Sequence, residues 1–285
     1  MSLTLDEIEA AKARLPLAFK APLSLRIKRG ALWVGFIGLF CYCLWAFDFN
    51  PARIWNGLDR LGTVLGFMFP PHIWDNWPEF SEILKGLGET LSIAFMGTLL
   101  GAIIGYPLSF LGAKNINRFT FLRQAARRGF DVIRAFETLI LALIFIRAFG
   151  LGPLAGILAI AVSEIGTFAK MFSEATENTS EKPVEGVKAS GGSRIQQIRF
   201  AIAPQVNPVI LSFLLYQFES NVRSGTILGI VGAGGIGFLL SDRISAYKWD
   251  EAWSIIFLII AMVYVIDHLS GLIRQRITGK FEGAK

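Results

Sequence analysis

Long apolar runs constrain this chain more than any other feature, since several windows of roughly 20 residues lack a strong polar interruption. A helix of that length crosses the roughly 30 Å hydrocarbon layer of a bilayer. Of the 285 residues, 53% are hydrophobic and only 18% are charged, whereas a soluble domain carries about 25% charged residues. The sequence therefore predicts an all-α integral membrane protein.

The runs predict about six transmembrane helices. The turn Gly150–Pro153 is too short to cross a membrane, so the third and fourth helices are expected to be direct neighbours. The glycine-rich stretch 225–240 after the fifth run either crosses the membrane or re-enters it, and the sequence leaves both open. The six runs are 31–47, 89–111, 133–149, 154–171, 204–221 and 253–272.

The net charge of +6 has two explanations, a nucleic-acid surface or basic loops on the cytoplasmic side of a membrane. Basic residues precede the first apolar run at 26–29, and the connection 114–128 holds five of them without an acid. Their position between apolar runs favours the membrane explanation, with both termini in the cytoplasm and no nucleic-acid partner. Cys41 and Cys43 lie within one apolar run, so neither a disulfide framework nor a metal site is expected.

The second run contains Gly97, Gly101 and Gly105 at four-residue spacing, which places them on one helix face. Small residues at that spacing allow a close approach of a neighbouring helix.

A polar segment separates the fourth and fifth runs. Its residues predict a short helix over 184–189, a break at Gly191 and Gly192, and a second helix over 194–202 before Pro204. This pattern resembles the cytoplasmic coupling loop of ABC-importer permeases. Glu185 stands at the position of the acid, the glycine follows six positions later, and the proline thirteen after that.

Four positions depart from the coupling-loop pattern, namely Gly186, Val187, Ala201 and Ala203. The resemblance implies that a face of small residues inserts into a groove of an ATPase subunit. The docking residues would be Glu185, Ala189, Ser190, Gly191, Gly192 and Pro204. An ordinary amphipathic loop helix is the alternative.

The glycine-rich stretch contains G-x-G-x-x-G, a dinucleotide-binding pattern when it stands in a βαβ unit. Apolar runs flank it here, and no such unit surrounds it. The run 218–237 instead resembles the signature of phosphonate-type permeases, as do Gly150–Pro153 and 203–205. We expect its glycines to form an external gate, a re-entrant element or a close helix contact; they are Gly229, Gly232, Gly234, Gly235 and Gly237.

These resemblances imply a type I ABC importer (MetI-like) permease fold in a bacterial inner membrane. They divide the chain into a cytoplasmic tail (1–30), a first transmembrane helix with an external interfacial segment (31–84), and a core permease domain (85–285) whose coupling loop is 180–205. They also imply partners: a second copy of the chain, a dimer of ATP-binding subunits and an external phosphonate-binding protein. The chain itself has no P-loop, so it is expected to be no enzyme and to hold no cofactor, with ATP and Mg²⁺ bound by the partner.

The implied substrate is a phosphonate, a phosphite or an organophosphate. One alternative is a permease of the same fold for methionine or another amino acid, and another is a transporter driven by an ion gradient.

Ionisable groups within the apolar runs are costly, so they call for partners or a pathway. Arg134 with Glu137, and Glu219 with Arg223, have spacings that place each pair on one helix face. They either neutralise each other or present cationic groups to a passing anion. The residues predicted for the pathway are Arg134, Arg147, Glu164, Glu219, Asn221 and Arg223.

Overall fold

The computed structural model describes the backbone of residues 23–282 and the side chains of residues 23–276, so residues 1–22 of the predicted tail lie outside it. The described residues form helices joined by loops and contain no strand. In chain order the helices are α1 (Leu23–Ala46), α2 (Pro51–Gly66), α3 (Trp77–Gly112), α4 (Thr120–Arg134), α5 (Thr138–Phe149), α6 (Pro153–Glu177), α7 (Glu181–Ala189), α8 (Arg194–Gln197), a π-helical turn (Ile198–Ile202), α9 (Ala203–Ile230), α10 (Ile236–Ser245) and α11 (Trp249–Glu282).

The chain divides into two compact units, residues 1–65 and residues 66–285. The first contains α1 and nearly all of α2, and neither helix has a buried residue. The second contains the other helices. The predicted boundary between residues 84 and 85 falls within α3, which begins at Trp77.

Five described helices are long and apolar enough to cross a membrane, and α5 is a sixth, shorter apolar helix. This agrees with the all-α membrane fold that the apolar runs predict. One long helix, Arg194–Ile230, joins α8, the π-helical turn and α9 without interruption, so the fifth helix extends beyond the predicted segment at both ends.

The prediction of one continuous third helix over 133–149 is wrong. Helix α4 ends at Arg134 and α5 starts at Thr138, with Glu137 extended (φ −65°, ψ 133°) between them. Arg134 and Glu137 therefore do not share one helix face. Composition could not show this break, because apolar residues continue on both sides of it.

Helices α3 and α6 pack closely along the glycine stripe, as the four-residue spacing predicts. A methyl group added at Gly97 would lie 2.6 Å from Cβ of Ile160, and one at Gly101 would lie 2.5 Å from Cβ of Glu164. At Gly105 the distance to Cβ of Phe168 would be 2.9 Å. Only hydrogen fits at these positions, which brings the two helix backbones together.

The glycine-rich stretch forms a tight hairpin between α9 and α10. Gly232, Gly234 and Gly235 have φ of 95°, 86° and 82°, a region that favours glycine. A methyl group at Gly229 would lie 2.8 Å from Cα of Gly237, so the two helices touch through their backbones. Close helix contact, one of the expected roles of these glycines, is present between Gly229 and Gly237.

Candidate functional site

The corner between α7 and α8 is closed by backbone hydrogen bonds. Gly191 has φ of 80°, and its N–H donates to the carbonyl of Lys188 at 3.0 Å. The N–H of Gly192 donates to the carbonyl of Val187 at 2.9 Å. This pair of bonds is the Schellman motif, which ends a helix at a left-handed residue. The predicted helix, glycine break and second helix are thus present, and the left-handed residue is Gly191 rather than Gly192.

The second helix begins immediately after the corner with a capping box. The N–H of Ser193 donates to Oε1 of Gln196 at 2.7 Å, and the N–H of Gln196 donates to Oγ of Ser193 at 3.5 Å. Gln197 adds a bond from Nε2 to the carbonyl of Gly192 at 3.0 Å. Sequence reasoning did not single out Ser193, although the S-x-x-Q spacing is the usual signal for this cap.

Gln205 fastens the start of α7 to the start of α9. Its Oε1 accepts the N–H of Ser180 at 3.0 Å, and its Nε2 donates to the carbonyls of Ser180 at 3.3 Å and Ala201 at 2.8 Å. Because α9 continues into the bundle, α7 is attached at both of its ends to one transmembrane helix. A displacement of α7 can therefore pass directly to that helix.

The outer face of this corner is accessible to a partner. Glu185, Ala189, Ser190, Gly191 and Pro204 are exposed in the described protomer, and Gly192 is half-buried. A cavity of about 570 Å³ lies beside them and is lined by charged and polar groups that include Glu181, Glu185, Lys188 and Arg194. Small residues next to a charged groove give this corner the shape of a docking surface.

The ends of α3 and α6 are bound to α4 beside the corner. Arg127 on α4 forms an ion pair with Glu177 at the end of α6, at 2.7 Å, and its Nε donates to the carbonyl of Gly112 at 2.9 Å. Glu177 also accepts the N–H of Lys114, and Asn115 donates to the carbonyl of Thr176 at 2.7 Å. These contacts join α4 and the ends of α3 and α6 into a platform next to the start of the coupling corner.

The glycine hairpin lies at the opposite end of α3. The N–H of Ile236 donates to Oγ1 of Thr90 at 2.9 Å, and the N–H of Gly152 donates to the carbonyl of Gly232 at 3.0 Å. An open pocket of about 350 Å³ there is lined by Glu82, Glu89 and backbone of the hairpin. The hairpin and the corner thus occupy different ends of one packed bundle.

A buried polar group joins α3, α6 and α9. Glu164 is 3% exposed, and its Oε1 accepts from Nε2 of Gln217 at 2.8 Å and from Nδ2 of Asn221 at 3.0 Å. Asn221 also donates to Oγ1 of Thr98 at 2.9 Å. Oε2 of Glu164 is buried without a hydrogen bond among the described residues. The structure thus brings Glu164 and Asn221 together and adds Gln217 and Thr98.

Four charged residues form a second group between α9 and α11. Arg223 lies 3.4 Å from Glu219 and 3.3 Å from Asp267, while Arg274 lies 3.3 Å from Glu219. The pairing of Glu219 with Arg223, one of the two interpretations of their spacing, is confirmed. The partners Asp267 and Arg274 lie on a distant helix, and no local spacing could have identified them.

Arg134 and Arg147 join neither group. Both are exposed in the described protomer, and neither forms an ion pair with a described residue. Arg134 ends α4 beside the helix break, and Arg147 lies in the last turn of α5.

Residues 89–281 match the protein family described as "Binding-protein-dependent transport system inner membrane component". The chain belongs to this family. Its members are the permease subunits of ABC importers, which agrees with the coupling-loop resemblance.

Two relatives and one solved structure resemble this permease over most of its length. The phosphite transport system permease protein PtxC of Stutzerimonas stutzeri is 31% identical over 86% of this chain and 87% of its own. The phosphate-import permease protein PhnE of Mycolicibacterium smegmatis is 35% identical over 90% of this chain and 48% of its own. The inward-facing MetNI methionine ABC transporter has a TM-score of 0.62 at 21% identity, covering 71% of this chain and 99% of that one. Because the identity is only 21%, the similarity to this structure shows the fold alone.

Proposed function

We propose that this permease carries a phosphorus oxyanion, a phosphonate or phosphite, across the bacterial inner membrane. The observation that carries the proposal is the similarity, over 86–90% of the chain, to relatives named for phosphite and phosphate import. Exposed arginines on a membrane bundle are consistent with an anionic cargo, because a guanidinium matches a phosphonate or phosphate group with two parallel hydrogen bonds.

In this proposal the energy comes from ATP and Mg²⁺ held by a separate ATPase dimer, and this chain binds no cofactor. The corner at 180–205 docks on the ATPase, so that closure of the ATPase dimer moves α7. Gln205 passes this motion to α9, and the bundle alternates between outward-open and inward-open states. Two permease copies, an external binding protein and cytoplasmic termini complete the assembly. The glycine hairpin acts as part of the external gate.

Transport by the purified complex tests the substrate. The permease, its ATPase and its binding protein are reconstituted in liposomes, and ATP-dependent uptake of labelled methylphosphonate, phosphite, phosphate and methionine is compared. We expect saturable uptake of methylphosphonate or phosphite that stops without the ATPase. Uptake of methionine alone would select an amino-acid permease of this fold, and uptake without the ATPase would select a gradient-driven transporter.

The corner itself can be tested with two alanine substitutions. Gly191→Ala places a side chain at φ of 80°, which costs about 1–2 kcal/mol, so we expect ATPase stimulation by the loaded binding protein to fall several-fold. Gly186→Ala lies on α7, five residues before Gly191, with no atom within 4 Å of the new methyl group, and we expect it to keep full stimulation. Equal stimulation in the two variants would contradict the coupling role of the corner.

A further inference from the structure

Helices α4 and α5 together pack antiparallel along the whole length of α6. Three side-chain contacts fix this alignment. As residue numbers rise along α4 and α5, the numbers of the contacted residues on α6 fall. They are Arg127–Glu177 at 2.7 Å, Asp131–Lys170 at 2.6 Å and Thr138–Ser163 at 3.3 Å. The two short helices therefore form one transmembrane segment that is interrupted at residues 135–137.

The interruption lies near the middle of the membrane. Helix α6 has 25 residues, a length of about 37 Å against roughly 30 Å of hydrocarbon. Gly166 lies about halfway along α6, and a methyl group added there would lie 2.9 Å from the backbone nitrogen of Arg134. Arg134 and the break that follows it are thus far from both membrane surfaces.

The residues of the break are exposed in the described protomer. Arg134, Ala135, Phe136 and Glu137 are all exposed, and Glu137 makes no capping bond to α5. No hydrogen bond or ion pair joins the side chain of Arg134 to a described residue. The carboxylate one turn earlier, Asp131, is attracted by the charge of Arg134 but forms its ion pairs with Lys170 at 2.6 Å and Arg128 at 3.5 Å. A charged group and irregular backbone therefore share one open surface at mid-depth.

Such a surface cannot face lipid, because non-helical backbone and unpaired charges at membrane depth are stable only within protein or against water. An open cavity lies one helical turn before the break. A cavity of about 520 Å³ between α4 and α6 is lined by Arg127, Arg128, Asp131 and Lys170, and it begins at the end that carries the coupling corner.

We propose that the break at residues 135–137 lines the aqueous translocation pathway at mid-membrane, and that the guanidinium of Arg134 contacts the oxygens of the passing oxyanion. This inference rests on the proposed function for the identity of the anion. Glu137, three residues after Arg134 at the other end of the break, repels the same anion. The negative charge of Glu137 weakens anion binding at this site. Weak binding is required because a site in a pathway must release the anion as well as bind it.

Accessibility of single cysteines tests the placement. The chain contains two cysteines, Cys41 and Cys43, and both are replaced by serine. Arg134→Cys and Glu137→Cys are then introduced separately into the complete complex in inside-out vesicles. The matched control is Ile103→Cys on α3, because Ile103 is 58% exposed. Its neighbours Gly101 and Gly105 contact Glu164 and Phe168 of α6. Position 103 therefore lies at a depth similar to that of the break.

The reagent is a cationic, membrane-impermeant thiosulfonate, which reacts with a cysteine where water reaches the thiol. We expect both break positions to react at least ten times faster than position 103, and saturating methylphosphonate to slow the reaction at position 134. Rates equal to that at position 103, without any slowing by methylphosphonate, would overturn the pathway placement in favour of a lipid-facing or otherwise covered surface.

Uptake measurements test the anion contact. Arg134→Gln is expected to lower methylphosphonate uptake at least tenfold with normal assembly, while Arg134→Lys retains more activity because it keeps the charge. Arg118→Gln removes the same charge from the exposed connection before α4 and is expected to have no effect. Wild-type uptake by Arg134→Gln, without protection at position 134, would overturn the anion contact. If the wild-type complex takes up a different solute that protects position 134, the proposed substrate fails while the pathway placement stands.

Discussion

Glu164 shows how one polar side chain is tolerated in the middle of an apolar bundle. Its Oε1 accepts two amide groups from α9, which satisfies donors that would otherwise be buried without acceptors. Removing the acceptor lowers the stability by more than the two hydrogen bonds contribute, because the amide donors then remain out of water without an acceptor. The residue therefore fixes the position of α9 against α6 whether or not it also meets the cargo.

We expect Glu164→Leu to lower the free energy of unfolding by about 1–3 kcal/mol, because the amides of Gln217 and Asn221 lose a shared acceptor. Glu164→Gln keeps an acceptor oxygen for the two amides, so we expect its stability to stay within about 1 kcal/mol of wild type. Thermal unfolding of the detergent-solubilised complex measures both. The control is Glu174→Leu, an exposed position on the same helix, which should change the stability little. Equal stability of the leucine and glutamine variants at position 164 would contradict the structural role of Glu164.

At the scale of helices, the pairing of α3 with α6 follows from the glycine stripe, whereas the break between α4 and α5 does not follow from any local pattern. A stripe of small residues can be read from spacing, because four residues return a helix to nearly the same face. The break depends on Gly166 and Ser163 of another helix, which hold the two halves of the segment in place.

The close packing along the glycine stripe predicts that a methyl group added there destabilises the bundle. Gly101→Ala adds a methyl group 2.5 Å from Cβ of Glu164 and 3.1 Å from the carbonyl oxygen of Ala161. Neither neighbour can move without shifting a helix backbone, so we expect a loss of about 1–3 kcal/mol in stability. Gly88→Ala, also on α3, meets no atom within 4 Å and should be neutral or slightly stabilising. Thermal unfolding measures both, and equal effects would show that α3 and α6 pack less closely than described.

At the scale of the whole molecule, the two candidate functional surfaces are separated by more than half of α3. The glycine hairpin contacts this helix at Gly86 and Thr90, and the platform for the coupling corner is at its end, Gly112. The roughly 22 residues between Thr90 and Gly112 span about 33 Å. An importer that receives cargo on one side and energy on the other requires such a separation.

The orientation of this bundle can be measured with the same cysteine-free background. We expect Lys188→Cys, exposed on the coupling corner, to react with an impermeant reagent only in inside-out vesicles. Glu82→Cys, exposed near the start of α3, should react only in intact spheroplasts. Reaction of position 188 from outside the cell would place the corner on the wrong side for an ATPase and would overturn its coupling role.

The sequence by itself determined the membrane class, the positions of most transmembrane helices, the glycine stripe and the helix–glycine–helix corner. Each of these depends on composition or on spacing within about twenty residues, where helix geometry and bilayer thickness act directly. Only the tertiary structure decided which charges meet, that Gln205 fastens α7 to α9, and that the third segment breaks beside Arg134. These features depend on contacts between helices that are far apart in the chain, and packing, rather than local preference, selects them.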